Sequence, residues 1–69
     1  MKYDGLAFAR SLKSLRAWRG WTQMELASKS GVSRDAITSY ETQKRVPSLE
    51  TVSKLADALE VSISDLLKV

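Results

Sequence analysis

The 69-residue sequence contains neither cysteine nor histidine. Disulfides are therefore excluded, and a zinc site nearly so, because these two residues supply most zinc ligands. The sequence also lacks any apolar run near the roughly 18 residues that a membrane-spanning helix needs. Asp4 and Arg10 interrupt the N-terminal stretch before a signal-peptide core can form. We therefore expect a soluble, cytoplasmic protein whose single small domain, residues 1–69, depends on helix packing or on a second copy for stability.

The charges are unevenly distributed along the chain. Residues 1–45 carry nine Lys/Arg against four Asp/Glu, a balance of +5, whereas residues 46–69 carry two against four, a balance of −2. A basic first part and an acidic last part suggest that the first part meets a polyanion such as nucleic acid. The alternative is an ordinary fluctuation of charge in a small domain.

Helical periodicity recurs throughout, and no segment alternates convincingly as a strand. We predict five helices that start at capping residues and stop at glycine or before proline. The first covers residues 5–19 with an apolar stripe of Phe8, Leu12 and Leu15, and the second runs from the Thr22 cap to Ser30 with Leu26 and Ala27 inward. The third covers residues 34–42. The fourth is capped by Ser48 and directs Leu49, Val52, Leu55, Ala56 and Leu59 inward, and a short fifth helix begins at Ser62–Asp65.

The second and third predicted helices are separated by a very short connection. Gly31 ends one, and Ser33 can cap the next. Two helices joined by a few residues that include glycine form a helix-turn-helix, here at about residues 22–42. The third helix directs Ile37 and Tyr40 into the core. Its other face is polar and contains Arg34, Asp35, Thr38 and Ser39.

The segment TQMELASKSGVSRDAITSYETQKRVPSLETVSKLADALEVSISDLL resembles the Cro/repressor type of helix-turn-helix, the Xre family. The matching positions are Thr22-Gln23, Glu25-Leu26-Ala27, Gly31-Val32-Ser33, Ile37, Glu41, Pro47-Ser48-Leu49-Glu50 and Leu55-Ala56, with Leu12, Leu15 and Arg16 upstream. The resemblance implies an all-α fold, a compact five-helix lambda-repressor-like domain with a central helix-turn-helix. It also implies that the third helix enters the major groove of double-stranded DNA.

Four residues of the third helix are candidate base contacts. Arg34 can pair bidentately with guanine, although it can also meet a phosphate, and as a cation it opposes the helix dipole there. Asp35 either accepts from cytosine N4 or merely favours the helix N-terminus. Thr38 can touch a thymine methyl. Ser39 can donate to a base or a phosphate, or it can be a polar residue on the helix surface that contacts only water.

The resemblance also implies supporting residues. Gln23 occupies the position that the family uses against phosphate, at a helix N-terminus where free N–H groups favour an anion. Further candidate phosphate contacts are Ser33, Thr42, Lys44 and Arg45. Arg16 and Glu41 resemble the buried ion pair that ties the first helix to the third, and a phosphate contact is the alternative for Arg16.

The sequence departs from the family pattern at three positions. Gln43 stands where the family commonly has glycine, so a left-handed backbone there would cost about 1 kcal/mol. Trp18 and Met24 fall at positions that are usually polar. They either extend the small core or form an exposed surface for a protein partner.

The C-terminal segment carries Leu66, Leu67 and Val69. These residues cannot all point into one core, so we expect some of them to form a homodimer interface.

The sequence therefore favours a sequence-specific DNA-binding transcriptional regulator, most often a repressor in this family. The alternative is an antitoxin-type or anti-repressor module that mainly binds another protein. An enzyme is disfavoured, because there is no histidine, cysteine, glycine-rich phosphate loop or acidic pair in a plausible cleft, and because the chain is small.

Overall fold

The computed structural model describes residues 5–67, and this range folds into five helices and no strand. The helices are α1 (Gly5–Arg19), α2 (Gln23–Ser30), α3 (Arg34–Glu41), α4 (Leu49–Leu59) and α5 (Ile63–Leu67). The expectation of an all-α five-helix domain is confirmed, and the third helix ends one residue earlier than predicted. Within residues 5–67 no helix is both long and apolar enough to cross a bilayer.

Side-chain caps start the helices where the sequence predicted. The hydroxyls of Thr22, Ser33 and Ser48 each accept a hydrogen bond from the backbone N–H three residues later. At Thr22 the cap is reciprocal, because the Glu25 carboxylate accepts from the Thr22 N–H at 2.8 Å. These bonds satisfy N–H groups that a helix leaves free in its first turn, so the local sequence sets each starting point.

Left-handed residues end α1 to α4. Gly20 and Gly31 have φ of 74° and 76°, and Gln43 and Glu60 have φ of 64° and 59°. After α3, Gln43 N–H donates to the Tyr40 carbonyl at 3.2 Å and Lys44 N–H donates to the Ser39 carbonyl at 2.8 Å. This is a Schellman motif, which closes the helix by satisfying its last carbonyls. Gln43 therefore adopts the conformation that glycine adopts at lower cost.

The core lies between the five helices: α1 packs against α3, α4 and α5, α2 packs against α3 and α4, and α4 also packs against α5. Its fully buried large side chains include Phe8, Leu12, Leu26, Ile37, Leu55, Leu59 and Leu66. The rings of Phe8 and Tyr40 pack edge to face with centroids 6.0 Å apart, which joins α1 to α3. Most of the predicted inward positions are thus buried, and Leu15 and Ala27 pack on the edge of the core.

Leu49 is an exception among the predicted inward residues, because its side chain is 67% exposed. It is the first residue of α4, about one turn before the buried residues Val52, Leu55, Ala56 and Leu59 begin. The apolar spacing was correct, but the core ends before the first turn of this helix. The prediction that Leu49 packs in the core was therefore wrong.

Leu66 corrects a second expectation. It was expected at an interface between two chains, but it is 0% exposed and belongs to the core of a single chain. Leu67 is half-buried at the surface, and Val69 lies outside the described residues. A five-residue helix packed on α1 must bury one side chain to dock, and α5 uses Leu66.

The left-handed backbone at Gln43 yields a test of stability. Replacing Gln43 with Gly removes the Cβ that is unfavourable at φ 64°. We expect the free energy of unfolding, measured by urea denaturation, to rise by about 1 kcal/mol. Gln43→Ala keeps a Cβ and is the control. Equal stability of the two variants would show that backbone strain is not relieved at this position.

Candidate nucleic-acid interface

The helix-turn-helix is formed by α2, residues 31–33 and α3. Gly31 turns the chain in a left-handed conformation, Val32 is buried, and the Ser33 hydroxyl caps α3 by accepting from Ala36 N–H at 3.1 Å. The single buried apolar side chain of the turn fixes the two helices to the same core. The angle at which α3 leaves the turn is therefore set by Gly31 and Val32.

The two faces of α3 have different environments. Ala36, Ile37 and Tyr40 are buried, whereas Arg34 and Asp35 are exposed at the N-terminal end of the helix. Thr38 and Ser39 are half-buried. The first turn of α3 therefore projects furthest into solvent, where a positive and a negative side chain stand side by side.

An ion pair connects α1 to the C-terminal end of α3. Arg16 Nε donates to Glu41 Oε2 at 2.8 Å, and Arg16 Nη2 donates to Glu41 Oε1 at 3.0 Å. Its third nitrogen, Nη1, donates to the Trp21 carbonyl at 2.8 Å. Hydrogen bonding to Glu41 raises the pKa of the Arg16 guanidinium above its ordinary value, because these bonds favour the charged form of the arginine.

Gln23 and Thr38 extend this pair toward the polar face of α3. Gln23 Nε2 donates to Glu41 Oε1 at 3.0 Å, and the Thr38 hydroxyl donates to Gln23 Oε1 at 2.9 Å. Two residues that the sequence suggested as separate DNA contacts therefore bond to each other. Thr38 and Glu41 are three residues apart and therefore lie on the same face of α3, where one side chain from another helix can bond to both. No sequence motif indicates that this side chain is Gln23.

The segment after α3 is folded back on the helix. Both the N–H and the hydroxyl of Thr42 donate to the Thr38 carbonyl, at 3.0 Å and 2.8 Å. A hydroxyl has one proton, so Thr42 directs it to the helix and has none left for a phosphate. Lys44 and Arg45 are exposed, and the Arg45 guanidinium lies 5.6 Å from the centroid of the Tyr40 ring. Two exposed cations thus stand beside the end of α3, and one of them, Arg45, lies against the Tyr40 ring.

Trp18 and Met24 do not extend the core. Their side chains are 74% and 64% exposed, so the core alternative raised by the sequence was wrong for both. Arg19 lies 5.2 Å from the centroid of the Trp18 ring and donates through Nη2 to the Leu59 carbonyl at 2.6 Å. Trp18 is therefore an exposed ring beside an anchored cation on the α1 surface.

A capped helix, a short turn with left-handed glycine and a second helix with one polar face together define a helix-turn-helix domain. Comparison with known proteins leads to the same class. Residues 12–66 match the helix-turn-helix family HTH_3, and the chain belongs to that family. Its members include DNA-binding regulators of transcription.

The relatives that this chain resembles include regulators and an antitoxin. It is 38% identical over 61 residues to the uncharacterized HTH-type transcriptional regulator YqaE of Bacillus subtilis, covering 88% of this chain and 53% of YqaE. It is 36% identical over 62 residues to the antitoxin HipB of Escherichia coli, covering 90% of this chain and 66% of HipB. The chain thus spans about half to two thirds of the length of these two relatives.

A solved structure matches the chain over nearly its whole length. The restriction-modification controller protein C.AhdI from Aeromonas hydrophila superimposes with a TM-score of 0.87 at 34% identity. The match covers 94% of this chain and 98% of that one. The five-helix arrangement described above is therefore shared by a protein of the same size.

The ion pair between α1 and α3 yields a second test of stability. Arg16→Met leaves the Glu41 carboxylate buried and without its cation, and such a change typically costs about 3–5 kcal/mol. Because the Arg16 side chain is 20% exposed, we expect a loss in the lower part of that range. The control is Arg10→Met, an exposed arginine on the same helix. Urea denaturation should show little change for the control, and equal losses for both variants would contradict a stabilising role for the pair.

Proposed function

We propose that this chain binds duplex DNA in a sequence-specific manner as a homodimer, with residues 1–69 as one domain and α3 in the major groove. The observation that supports this most is the division of α3 into a buried face, held by Ile37 and Tyr40, and a polar first turn that projects into solvent. A groove can admit such a turn, and direct readout needs charged or polar groups at its tip. We place its action in the cytoplasm, together with the DNA that it binds.

Within this proposal, the first turn of α3 carries the base readout. Arg34 donates to guanine O6 and N7, and Asp35 accepts from cytosine N4. Both side chains are exposed, as readout requires. Ser39 lies further along the helix and is half-buried, so its short side chain contacts only a base or phosphate that comes close to the helix. Specificity therefore depends mainly on the pair at the start of the helix.

Phosphate contacts flank this readout on both sides. Gln23 and Ser33 lie at the N-terminal ends of α2 and α3, where helix dipoles favour an anion. Lys44 and Arg45 lie beyond the C-terminal end of α3 and supply positive charge. Such contacts set register and affinity, and the cations make binding depend on salt. Thr42 is not one of these phosphate contacts, since its hydroxyl proton is already donated to the Thr38 carbonyl.

Two observations support dimerisation, the extent of the described residues and an exposed apolar groove. The described residues extend 31 Å at most, whereas two half-sites of an operator lie about 34–36 Å apart, so a single copy does not reach both. Leu49, Pro47, Val52 and Leu67 line an open apolar groove of about 200 Å³. Exposed Leu49 and nearby Val46, 67% and 60% exposed, suit a two-fold interface at this groove.

Bound at a promoter, such a dimer acts as a repressor. Repression needs only that the operator be occupied where it overlaps the site of the polymerase. The high affinity of a specific protein–DNA complex makes occupancy sufficient at low protein concentration.

Two substitutions separate base readout from phosphate binding. Arg34→Ala should remove about 1–3 kcal/mol of discrimination at one base pair and leave the other positions unchanged. Lys44→Ala should weaken binding to all sequences and reduce the slope of log K against log salt by about one unit. Both are measured by fluorescence anisotropy with duplexes that differ at single base pairs.

Lys54→Ala is the matched control, because Lys54 is an exposed lysine on α4 that lies 3.9 Å from Glu50. It should change neither the base preference nor the salt slope. If Arg34→Ala kept the full preference at every base pair, the assignment of Arg34 to base readout would be wrong.

The interface assignment predicts a change in oligomeric state. Leu49→Lys puts a charge into the apolar groove, and losing the burial of one leucine, worth about 1.5–3 kcal/mol, weakens dimerisation about tenfold or more. Sedimentation equilibrium over a concentration series measures this. Trp18→Lys changes an exposed apolar residue of α1 outside the groove and should leave the dimer intact. Dissociation by Trp18→Lys and not by Leu49→Lys would move the interface to α1.

A second candidate function is an antitoxin-type or anti-repressor module that binds another protein, with DNA binding secondary. It is favoured by the exposed Trp18 ring and by the similarity to HipB. Such a module, purified from its native host, brings a specific protein with it in stoichiometric amount, and Trp18→Lys and Met24→Lys should release that protein. Release by neither variant would exclude this surface as its binding site.

A further inference from the structure

The hydrogen bonds that join Glu41, Gln23 and Thr38 have only one possible direction. Both oxygens of the Glu41 carboxylate accept from the Arg16 guanidinium, at 2.8 Å and 3.0 Å, and a carboxylate in such an ion pair acts only as an acceptor. Gln23 must therefore turn its Nε2 toward Glu41, at 3.0 Å, which leaves its Oε1 facing Thr38. The Thr38 hydroxyl must then donate, over 2.9 Å. The ion pair thus dictates the orientation of the Gln23 amide.

This direction decides what each side chain can still offer to a ligand. An amide nitrogen carries two protons, and Gln23 uses one for Glu41, so one N–H remains. A hydroxyl carries one proton, and Thr38 has donated it to Gln23. Thr38 therefore has no proton left for DNA, whereas Gln23 has a donor whose direction is fixed at both ends of the amide.

The alternative orientation of the amide is strongly disfavoured. Turning Gln23 over would place its carbonyl oxygen against the carboxylate of Glu41 and would lose the bond between the two residues. Gln23 and Thr38 are half-buried and Glu41 is buried, so water cannot fully replace the lost bonds. Removing the Thr38 hydroxyl, by contrast, leaves the amide held at one end only.

We propose that Thr38 is a positioning residue for Gln23: its hydroxyl holds the amide so that the free N–H of Gln23 is directed at a DNA phosphate. This proposal rests on the proposed function of DNA binding and revises the expectation that Thr38 contacts a base. It assigns Thr38 to affinity and register, which act alike on all sequences, and not to sequence preference. The polar face of α3 then reads bases chiefly through its first turn.

A double-mutant cycle tests this assignment. Thr38→Val keeps the branched shape and removes the hydroxyl, and Gln23→Ala removes the donor to the phosphate. Thr38→Val should weaken binding about three- to tenfold, the value of one hydrogen bond, for a preferred and an unrelated duplex alike. In the Gln23→Ala background the same substitution should have almost no effect, because the residue it positions is absent. Thr38→Ser keeps the hydroxyl and should bind like the wild type.

Two further readouts decide between positioning and base contact. The salt slope should be unchanged in Thr38→Val, because an amide is neutral and releases no counterion. The base preference should also be unchanged. Additive effects of the two substitutions, or a changed preference at one base pair in Thr38→Val, would overturn the proposal. Circular dichroism of each variant establishes that the helices are intact.

The same titrations with the wild-type chain separate the positioning role of Thr38 from the proposed function of DNA binding. If the wild type binds a preferred duplex and the cycle is additive, the positioning role alone is wrong. If the wild type binds no duplex at all, the proposed function fails, and the positioning role fails with it.

Discussion

The Glu41 carboxylate is the group on which the arrangement of the helix-turn-helix depends. It is 4% exposed and accepts hydrogen bonds from Arg16 of α1 and from Gln23 at the start of α2, while itself belonging to α3. One buried charge therefore meets donors from two other helices. A buried carboxylate is costly unless it is paired, so the native positions of these helices are the ones that satisfy it.

The apolar core alone would not fix the same geometry. Helices pack against each other with a spread of angles, and a small core of leucine, isoleucine and phenylalanine tolerates small shifts. Hydrogen bonds of 2.8 to 3.0 Å to a single carboxylate are less tolerant. In our account the core supplies most of the stability, and the Glu41 network sets where the polar face of α3 stands relative to Gln23.

Local signals in the sequence were sufficient to predict the helices. Thr22, Ser33 and Ser48 each satisfy a free N–H by a bond within three residues, so their effect does not depend on the rest of the fold. Burial was harder to predict, because periodicity gives a direction around a helix and not the extent of the core along it. Leu49 has the correct spacing and lies beyond the end of the core, and Trp18 and Met24 stay mostly exposed, at 74% and 64%.

The candidate site was predictable in part for the same reason. The exposure of Arg34 and Asp35 follows from their place at the start of a capped helix, which the sequence shows. The bond between Gln23 and Thr38 joins residues fifteen positions apart, and it exists because Glu41 turns the Gln23 amide. No local pattern contains that information, so the sequence presented two independent contacts where the structure presents one linked pair.

The most direct test of the central claim is selection from a pool of random DNA duplexes, followed by the affinity for the selected sequence over a range of salt concentrations. We expect a two-fold-symmetric sequence with half-sites about one helical turn apart, bound at least about 10³ times more tightly than bulk DNA, and a steep loss of affinity with salt. A pool that shows no enrichment over non-specific binding would contradict the claim that α3 reads DNA sequence.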